Sequence, residues 1–326
     1  MRSPRLLASL LLASLVLPLG LGAAPVPASA QTRLKVVSSV APIANLVANV
    51  GGNRIDLTQL IPDGIDSHTF EPRPSDSRAI SEADLIVLNG LGLETPTQRM
   101  VAASAKPGAQ VLLLGDNTIT RDEWIFDFSF PESRGNPNPH LWLNVAYAAK
   151  YADLIRAKLV EMDPANADYY ESRAAQLQDR LQQLDQAIFA VTATIPPQNR
   201  RLLTYHDSWA YFARRYGWEV IGAIQPADFS EPRPRDVAAI IDQIRSTGLP
   251  AIFGSEVFPS RVLEAIGRET GARYVDTLRD DDLPGDRNSP DHSYVALMLA
   301  NIRTMATALG GDTSPTDNID PTNIAP

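Results

Sequence analysis

Histidine is scarce in this chain of 326 residues, and three of its four histidines lie where ligands usually gather. His68 is in the turn-rich stretch DGIDSHTFEPRPSD after a predicted strand, and His206 ends another predicted strand. His140 is in the proline-restricted loop NPNPHLWLN, and Asp276 ends the strand-like YVDTL. A single loop histidine is more often solvated, but ligands collect beyond the carboxyl ends of parallel strands. Together, three imidazoles and a carboxylate suit a divalent cation.

The fourth histidine, His292, lies in the acidic stretch RDDDLPGDRNSPDHSY. We interpret it as a surface residue, with an auxiliary contact to the metal as the alternative. Whether the loop over residues 279–293 closes over the site stays open at this point.

No enzyme motif competes with the metal-binding interpretation. The chain has no HExxH, no GxSxG, no phosphate-binding glycine loop and no dinucleotide fingerprint. A metallohydrolase would need an open coordination position and a general base. Asp207 and Glu256 are candidates for that base, although either could equally orient a histidine ring. We therefore predict a binding protein rather than an enzyme.

The elements that must position these residues alternate between strands and helices. Predicted strands cover residues 34–40, 55–61, 84–89, 110–115, 201–206, 218–224, 251–256 and 273–278. Predicted helices cover residues 42–50, 73–83, 95–105, 144–162, 208–217, 235–248, 260–271 and 294–310. This order predicts an α/β fold with two lobes, each a parallel sheet flanked by helices. The tetrapeptide EPRP recurs at 71–74 and 231–234, a weak sign of duplication that agrees with the strand order.

One long helix is predicted between the two lobes. It follows Asp163-Pro164, an N-cap and first-turn proline, and extends to about Ala193. Its apolar residues recur at spacings of three and four, as expected for a single buried stripe: Tyr170, Ala174, Leu177, Leu181, Leu184 and Ile188. The predicted domains are an N-terminal lobe over 31–162, the connecting helix over 163–195, a C-terminal lobe over 196–311 and a disordered tail over 312–326.

The first 30 residues have the features of a cleavable secretory signal. Arg2 and Arg5 precede an apolar run, and Ala28-Ser29-Ala30 ends it. We expect a periplasmic protein that is not lipid-anchored, because the chain has no cysteine to carry a lipid or a disulfide. Without the signal's two arginines, 27 basic residues face 38 acidic ones. This balance argues against nucleic acid as a partner and mildly favours cations.

Four blocks of the sequence resemble one known family. HTFEPRPSD, NPHLWLN, HDSWAYFARRYG and YVDTL, in this order behind a signal peptide, are similar to the metal-binding subunits of ABC importers for zinc and manganese, the cluster A-I (cluster 9) solute-binding proteins. The resemblance implies two α/β lobes joined by a rigid helix, a single metal ion between them, and delivery of that ion to an inner-membrane permease. Position by position, it implies His68, His140, His206 and Asp276 as ligands. A monomer is expected.

The third ligand favours zinc. Relatives that prefer manganese commonly carry glutamate there, and oxygen ligands suit Mn²⁺ whereas three imidazoles suit Zn²⁺. The histidine-rich loop of many zinc-type members is absent, which removes one indicator of zinc, and Asn138 stands where relatives commonly have aspartate, but the three imidazoles outweigh this. We therefore predict zinc, with manganese or iron as the alternative. A zinc-dependent envelope hydrolase and an adhesion protein with a structural metal are the other hypotheses.

Overall fold

The structure is a computed structural model that describes residues 33–225, 232–255 and 261–325. The predicted signal peptide, Glu256 and the first residue of the second EPRP lie outside these ranges. Within the described ranges, no helix has both the length and the apolar composition needed to cross a membrane.

The N-terminal lobe is built on a sheet of four parallel strands in the order β2-β1-β3-β4. The strands are β1 (Leu34–Ser38), β2 (Ile55–Gln59), β3 (Leu85–Leu88) and β4 (Gln110–Leu113). Every residue of β3 is buried, as expected for a parallel sheet that helices cover on both faces. The helices of this lobe are α1 (Ala41–Gly51), α2 (Pro74–Glu82), α3 (Thr95–Ser104) and α4 (Val145–Met162).

The C-terminal lobe repeats this arrangement with the order β6-β5-β7-β8, again all parallel. Its strands are β5 (Arg201–Thr204), β6 (Glu219–Ala223), β7 (Ala251–Ser255) and β8 (Arg273–Leu278). Its helices are α6 (Ala210–Tyr216), α7 (Pro234–Thr247), α8 (Arg261–Thr270) and α9 (Tyr294–Leu309). The predicted fold class is confirmed: two parallel sheets flanked by helices and joined by a long helix.

That connecting helix, α5 (Ala167–Thr194), has 28 residues, which corresponds to about 42 Å. A 3-10 turn over Pro164–Asn166 precedes it, so the regular helix begins three residues after the predicted proline. All six residues of the predicted apolar stripe are buried. Its exposed face is mostly polar, and its one large exposed apolar side chain, Phe189, packs on Tyr216.

One hydrophobic core passes through both lobes. It includes Val36 of the first sheet, Leu181 of α5, Phe253 of the second sheet and Met298 of α9. A smaller cluster around Leu203, Ile252 and Leu263 belongs to the C-terminal lobe alone. The continuous core fixes one lobe against the other, because apolar surfaces on either side of α5 would be exposed if the lobes separated.

The last segment, predicted from its composition to be a disordered tail, instead packs against the rest of the molecule. Ile324 is 4% exposed, and the backbone carbonyl of Ile324 accepts a hydrogen bond from Arg173 of α5 at 3.0 Å. Arg180 of α5 pairs with Asp320 at 2.7 Å. The segment has few apolar residues, so its order depends on polar side chains contributed by distant helices, which its own composition does not show.

Removing a core side chain from α5 should destabilise the whole molecule. Leu184 is fully buried, so we expect Leu184→Ala to lower the free energy of unfolding by about 2–5 kcal/mol. Urea unfolding of the metal-free protein measures this change. Gln183→Ala, at an exposed position of the same helix, is the matched control and should change it by under about 0.5 kcal/mol. Two separate unfolding transitions would contradict the single core.

Candidate metal centre

Three imidazoles meet at one point between the lobes. The Nε2 atom of His140 lies 3.2 Å from Nε2 of His68 and 3.1 Å from Nε2 of His206. One nitrogen from each ring lies within 4.8 Å of the other two, a grouping that could hold a metal ion. Tetrahedral coordination with Zn–N bonds of about 2.0–2.1 Å separates neighbouring nitrogens by roughly 3.3 Å. The observed separations are close to that value.

Each of these histidines is placed by a short polar segment beyond a regular element. His68 is in the loop after β2, where the carboxylate of Asp66 accepts a hydrogen bond from its backbone N–H at 2.9 Å. His140 immediately precedes the 3-10 turn Leu141–Leu143, and His206 follows β5. Pro139 limits the backbone before His140, as the sequence predicted. The strand ends and the proline therefore direct rings from both lobes to the same place.

Amide oxygens fix the tautomer of two rings. Oδ1 of Asn138 lies 2.8 Å from Nδ1 of His140. The Nδ2 group of Asn138 donates to Asp127 and to the backbone carbonyl of Asp207. Oε1 of Gln225 lies 2.7 Å from Nδ1 of His206. Because an amide oxygen only accepts, each Nδ1 carries the proton and each Nε2 keeps its lone pair for a ligand.

Burial favours the neutral form of His68 and His140. It lowers the pKa of His68 and of His140 well below the usual 6.5, and the neighbouring His206 lowers both further. His140 and His206 are 0% and 2% exposed, whereas His68 is half-buried. Neutral imidazoles are the form that binds metal, so the site is prepared for a cation at neutral pH.

Aromatic rings line the site, and a cavity opens beside it. The ring of Phe130 packs at 5.4, 5.7 and 6.2 Å from those of His68, His140 and His206. Trp142 contacts His140 edge-on at 5.1 Å. The adjoining cavity of about 370 Å³ reaches His68 and not the other two imidazoles. His68 is therefore the ligand candidate that borders this cavity.

Asp276 is not brought to the imidazoles. It is exposed on β8, which continues two residues further to Leu278, and it is absent from the group of converging ligand atoms. The residues beyond the end of β8 are Asp280, Asp281 and Asp282, all at least 92% buried. Oδ2 of Asp281 accepts a hydrogen bond at 2.7 Å from Ser67, the residue before His68. In the sequence, the run of three aspartates after a predicted strand was the feature that could have indicated these buried acids.

A second layer of buried acids supports the loops. Burial and the neighbouring Asp207 raise the pKa of Asp127, and burial also raises the pKa of Asp207. Asp207 accepts a hydrogen bond from the backbone N–H of Ser129 at 3.2 Å. The sequence left open whether Asp207 orients a ring. Gln225, which sequence reasoning missed, makes the described contact to Nδ1 of His206, while Asp207 holds the neighbouring loop.

Comparison with known proteins identifies the family. The profile of the family described as ZnuA, zinc-uptake complex component A, periplasmic, matches residues 36–308, and the chain belongs to this family. The manganese-binding lipoprotein MntA of Halalkalibacterium halodurans is 30% identical over 277 residues, covering 85% of this chain and 88% of the relative. The iron-binding protein YfeA of Yersinia pestis is 26% identical over 284 residues, covering 87% and 89%. The solved periplasmic zinc-binding protein TroA of Treponema pallidum has a TM-score of 0.77 and 26% identity, covering 85% of this chain and 99% of TroA.

The protein is therefore a metal-binding solute-binding protein of an ABC importer, and not an enzyme. Proteins of this class work outside the cytoplasmic membrane with a membrane permease, as the sequence resemblance implied. The metals in the relatives' names are manganese, iron and zinc, so the comparisons give a divalent metal without choosing one.

Removing the amide that orients His140 should weaken metal binding. In Asn138→Ala the ring loses its Nδ1 partner, and we expect a roughly 10–100-fold loss of affinity for the divalent metal. Competition with a chromogenic chelator measures this loss. Asn136→Ala, an exposed position in the same loop, is the control and should bind like the wild type. Equal affinities for both variants would contradict the orienting role.

The lowered pKa values also predict a pH-dependent stability. Below pH 6.5 the unfolded chain protonates His68 and His140 while the folded chain does not, so the free energy of unfolding should fall as the pH drops. Urea unfolding of the metal-free protein at pH 7.5 and 5.5, beside His140→Gln, tests this expectation. The free energy of unfolding should fall further in the wild type than in the variant. The contributions of all other titrating groups are common to both proteins and cancel in this comparison. Equal losses would contradict the buried neutral imidazole.

Proposed function

We propose that this protein binds Zn²⁺ with high affinity between its lobes and delivers it to the importer's permease, with His68, His140 and His206 as ligands. The observation that carries the proposal is the convergence of three Nε2 atoms, with separations of 3.1 and 3.2 Å from His140. Zinc accepts few ligands and favours imidazole nitrogen, whereas manganese prefers more oxygen donors. Manganese or iron binding is the alternative, and the names of relatives such as MntA and YfeA support it.

We propose Asp281, in place of Asp276, as the carboxylate that completes the coordination. Asp281 is 5% exposed and lies beyond the end of β8, and its hydrogen bond to Ser67 holds it beside the loop of His68. It would reach the ion by turning one oxygen away from Ser67, because its oxygens are not within the present 4.8 Å grouping. The ion's charge compensates this buried carboxylate, whose pKa is raised well above its ordinary value by burial and by Asp280.

The proposed location is the periplasm, without a lipid anchor. Several relatives are named lipoproteins, but none of the 326 residues is a cysteine that could carry a lipid. The resemblance to solute-binding proteins of ABC importers supports a monomer that binds the permease while its metal is bound. The continuous core and the 28-residue α5 favour release through loop movements over a wide separation of the lobes.

Metal competition tests both the ion and its ligands. Native mass spectrometry of metal-free protein offered equal Zn²⁺ and Mn²⁺ should show one bound zinc. His206→Glu should lose zinc or shift toward manganese, because it replaces a nitrogen ligand with oxygen. Asp281→Asn should weaken zinc binding at least about tenfold, since a charged ligand is lost. Asp276→Asn is the matched control and should bind as the wild type does.

The other outcomes are equally informative. One bound manganese and no zinc in the wild type would keep the importer function and overturn the choice of metal. Loss of binding in Asp276→Asn with normal binding in Asp281→Asn would reverse the assignment of the carboxylate. Absence of any stoichiometric metal would overturn the proposed function itself.

A further inference from the structure

The C-terminal segment is built into a polar junction with α1 and α5. We name residues 312–325 the C-terminal strap. Oδ1 of Asn323 in the strap accepts hydrogen bonds at 2.9 Å from both Asn45 and Asn49 of α1. Asn45 and Asn49 are 8% and 4% exposed, so their amides depend on protein partners instead of water. Oδ1 of Asn49 in turn accepts a hydrogen bond from the backbone N–H of Ile324 at 2.7 Å.

The strap is also fixed to the connecting helix. Nε of Arg173 donates to the carbonyl of Asn49 at 2.8 Å, and its other nitrogens donate to the carbonyls of Ile324 and Ala325 at 3.0 and 2.5 Å. Arg180, nearly two turns further along α5, pairs with Asp320 at 2.7 Å. The strap therefore joins α1 of the N-terminal lobe to α5 through charged and amide groups.

From the strap, contacts lead into the acidic loop over residues 279–293. The side chain of Asn323 donates to the carbonyl of His292 at 3.0 Å, and its backbone N–H donates to the carbonyl of Pro290 at 3.0 Å. Nδ1 of His292 lies 3.1 Å from the carbonyl of Pro284, to which it donates. His292, the histidine outside the metal site, thus closes the acidic loop on itself and attaches it to the strap.

The acidic loop then contacts the loop of His68. Arg287 pairs with Asp63 at 2.7 Å, and the backbone N–H of Gly64 donates to Asp282 at 2.7 Å. Ser67 donates to Asp281 at 2.7 Å. These three contacts lie within residues 63–67, directly before His68. Hydrogen bonds therefore join Asn323 to the acidic loop, and the acidic loop in turn to the segment directly before His68.

We propose that Asn323 and His292 are positioning residues: the C-terminal strap holds the acidic loop against the His68 loop and thereby slows the loss of metal from the site. This inference rests on the proposed function, since it concerns how fast that same site releases its ion. Neither residue touches the ion. Each acts by restricting the loop that must move before His68 can leave the coordination shell.

The experiment compares release of metal from intact mature protein loaded with Zn²⁺. Stopped-flow mixing with excess chelator measures the release rate of the wild type, Asn323→Ala and Asn318→Ala. We expect Asn323→Ala to release zinc roughly tenfold faster, the scale of effects from residues that support ligands indirectly. Asn318 lies in the same strap but is exposed, so Asn318→Ala should release zinc at the wild-type rate.

Hydrogen exchange separates positioning from general destabilisation. In zinc-loaded Asn323→Ala, peptides covering residues 61–69 and 279–293 should exchange faster, while those from β1, β3 and α5 should keep wild-type rates. If Asn323→Ala folds poorly, Arg287→Ala interrupts the same contacts at a half-exposed ion pair and should accelerate release in the same direction.

Normal zinc binding with wild-type release rates in both variants would overturn the positioning role and leave the proposed function intact. Faster exchange spread over the whole chain would also overturn it, because the strap would then act on global stability alone. Absence of zinc binding by the wild type would instead overturn the proposed function.

Discussion

Three nitrogen lone pairs must point at one place, and most of this structure follows from that constraint. His68 and His206 lie 72 and 66 residues from His140 along the chain, and the three rings come from both lobes. Close approach of three imidazoles is favourable only while they are uncharged, since three cations at such distances would repel one another strongly. Burial lowers the pKa values of His68 and His140, and the amides of Asn138 and Gln225 turn the tautomers of His140 and His206 toward the shared point. The lobes must in turn be held in a fixed relation, which the continuous core around α5 provides.

The packed interior and the loops beside the metal site differ in how easily they can move. Sheets, α5 and α9 share one packed interior, where movement would expose apolar surface. The loops before His68 and after β8 are instead joined by a few polar contacts, such as that between Ser67 and Asp281. Because these contacts are few and lie outside the packed interior, they can open locally without disturbing the core. Release through loop movements, as proposed above, would leave this scaffold and its geometry unchanged.

Much of this arrangement could be predicted from the sequence, because the signals were local. Alternating apolar runs gave both sheets, and the stripe from Tyr170 to Ile188 gave α5. The three histidines were found from their positions after strands and beside Pro139. The position of the acids was harder to predict: Asp276 resembles the family motif but is exposed on β8, whereas Asp280, Asp281 and Asp282, which follow the strand, are buried. Gln225 and Asn323 could not be predicted, since each matters only through a partner distant in the chain. The composition of residues 312–326 predicted disorder for the same reason.

The position of Trp142 has a spectroscopic consequence. Its indole is fully buried, touches the ring of His140 edge-on, and donates from Nε1 to the carbonyl of Asp280, the residue before Asp281. A positive charge arriving at that imidazole changes the electric field across the indole, and movement of the acidic run changes its hydrogen bond. The emission of this one tryptophan therefore depends on both sides of the site. Trp142, one of four tryptophans in the chain, is thus an intrinsic fluorophore placed to respond when an ion occupies the site.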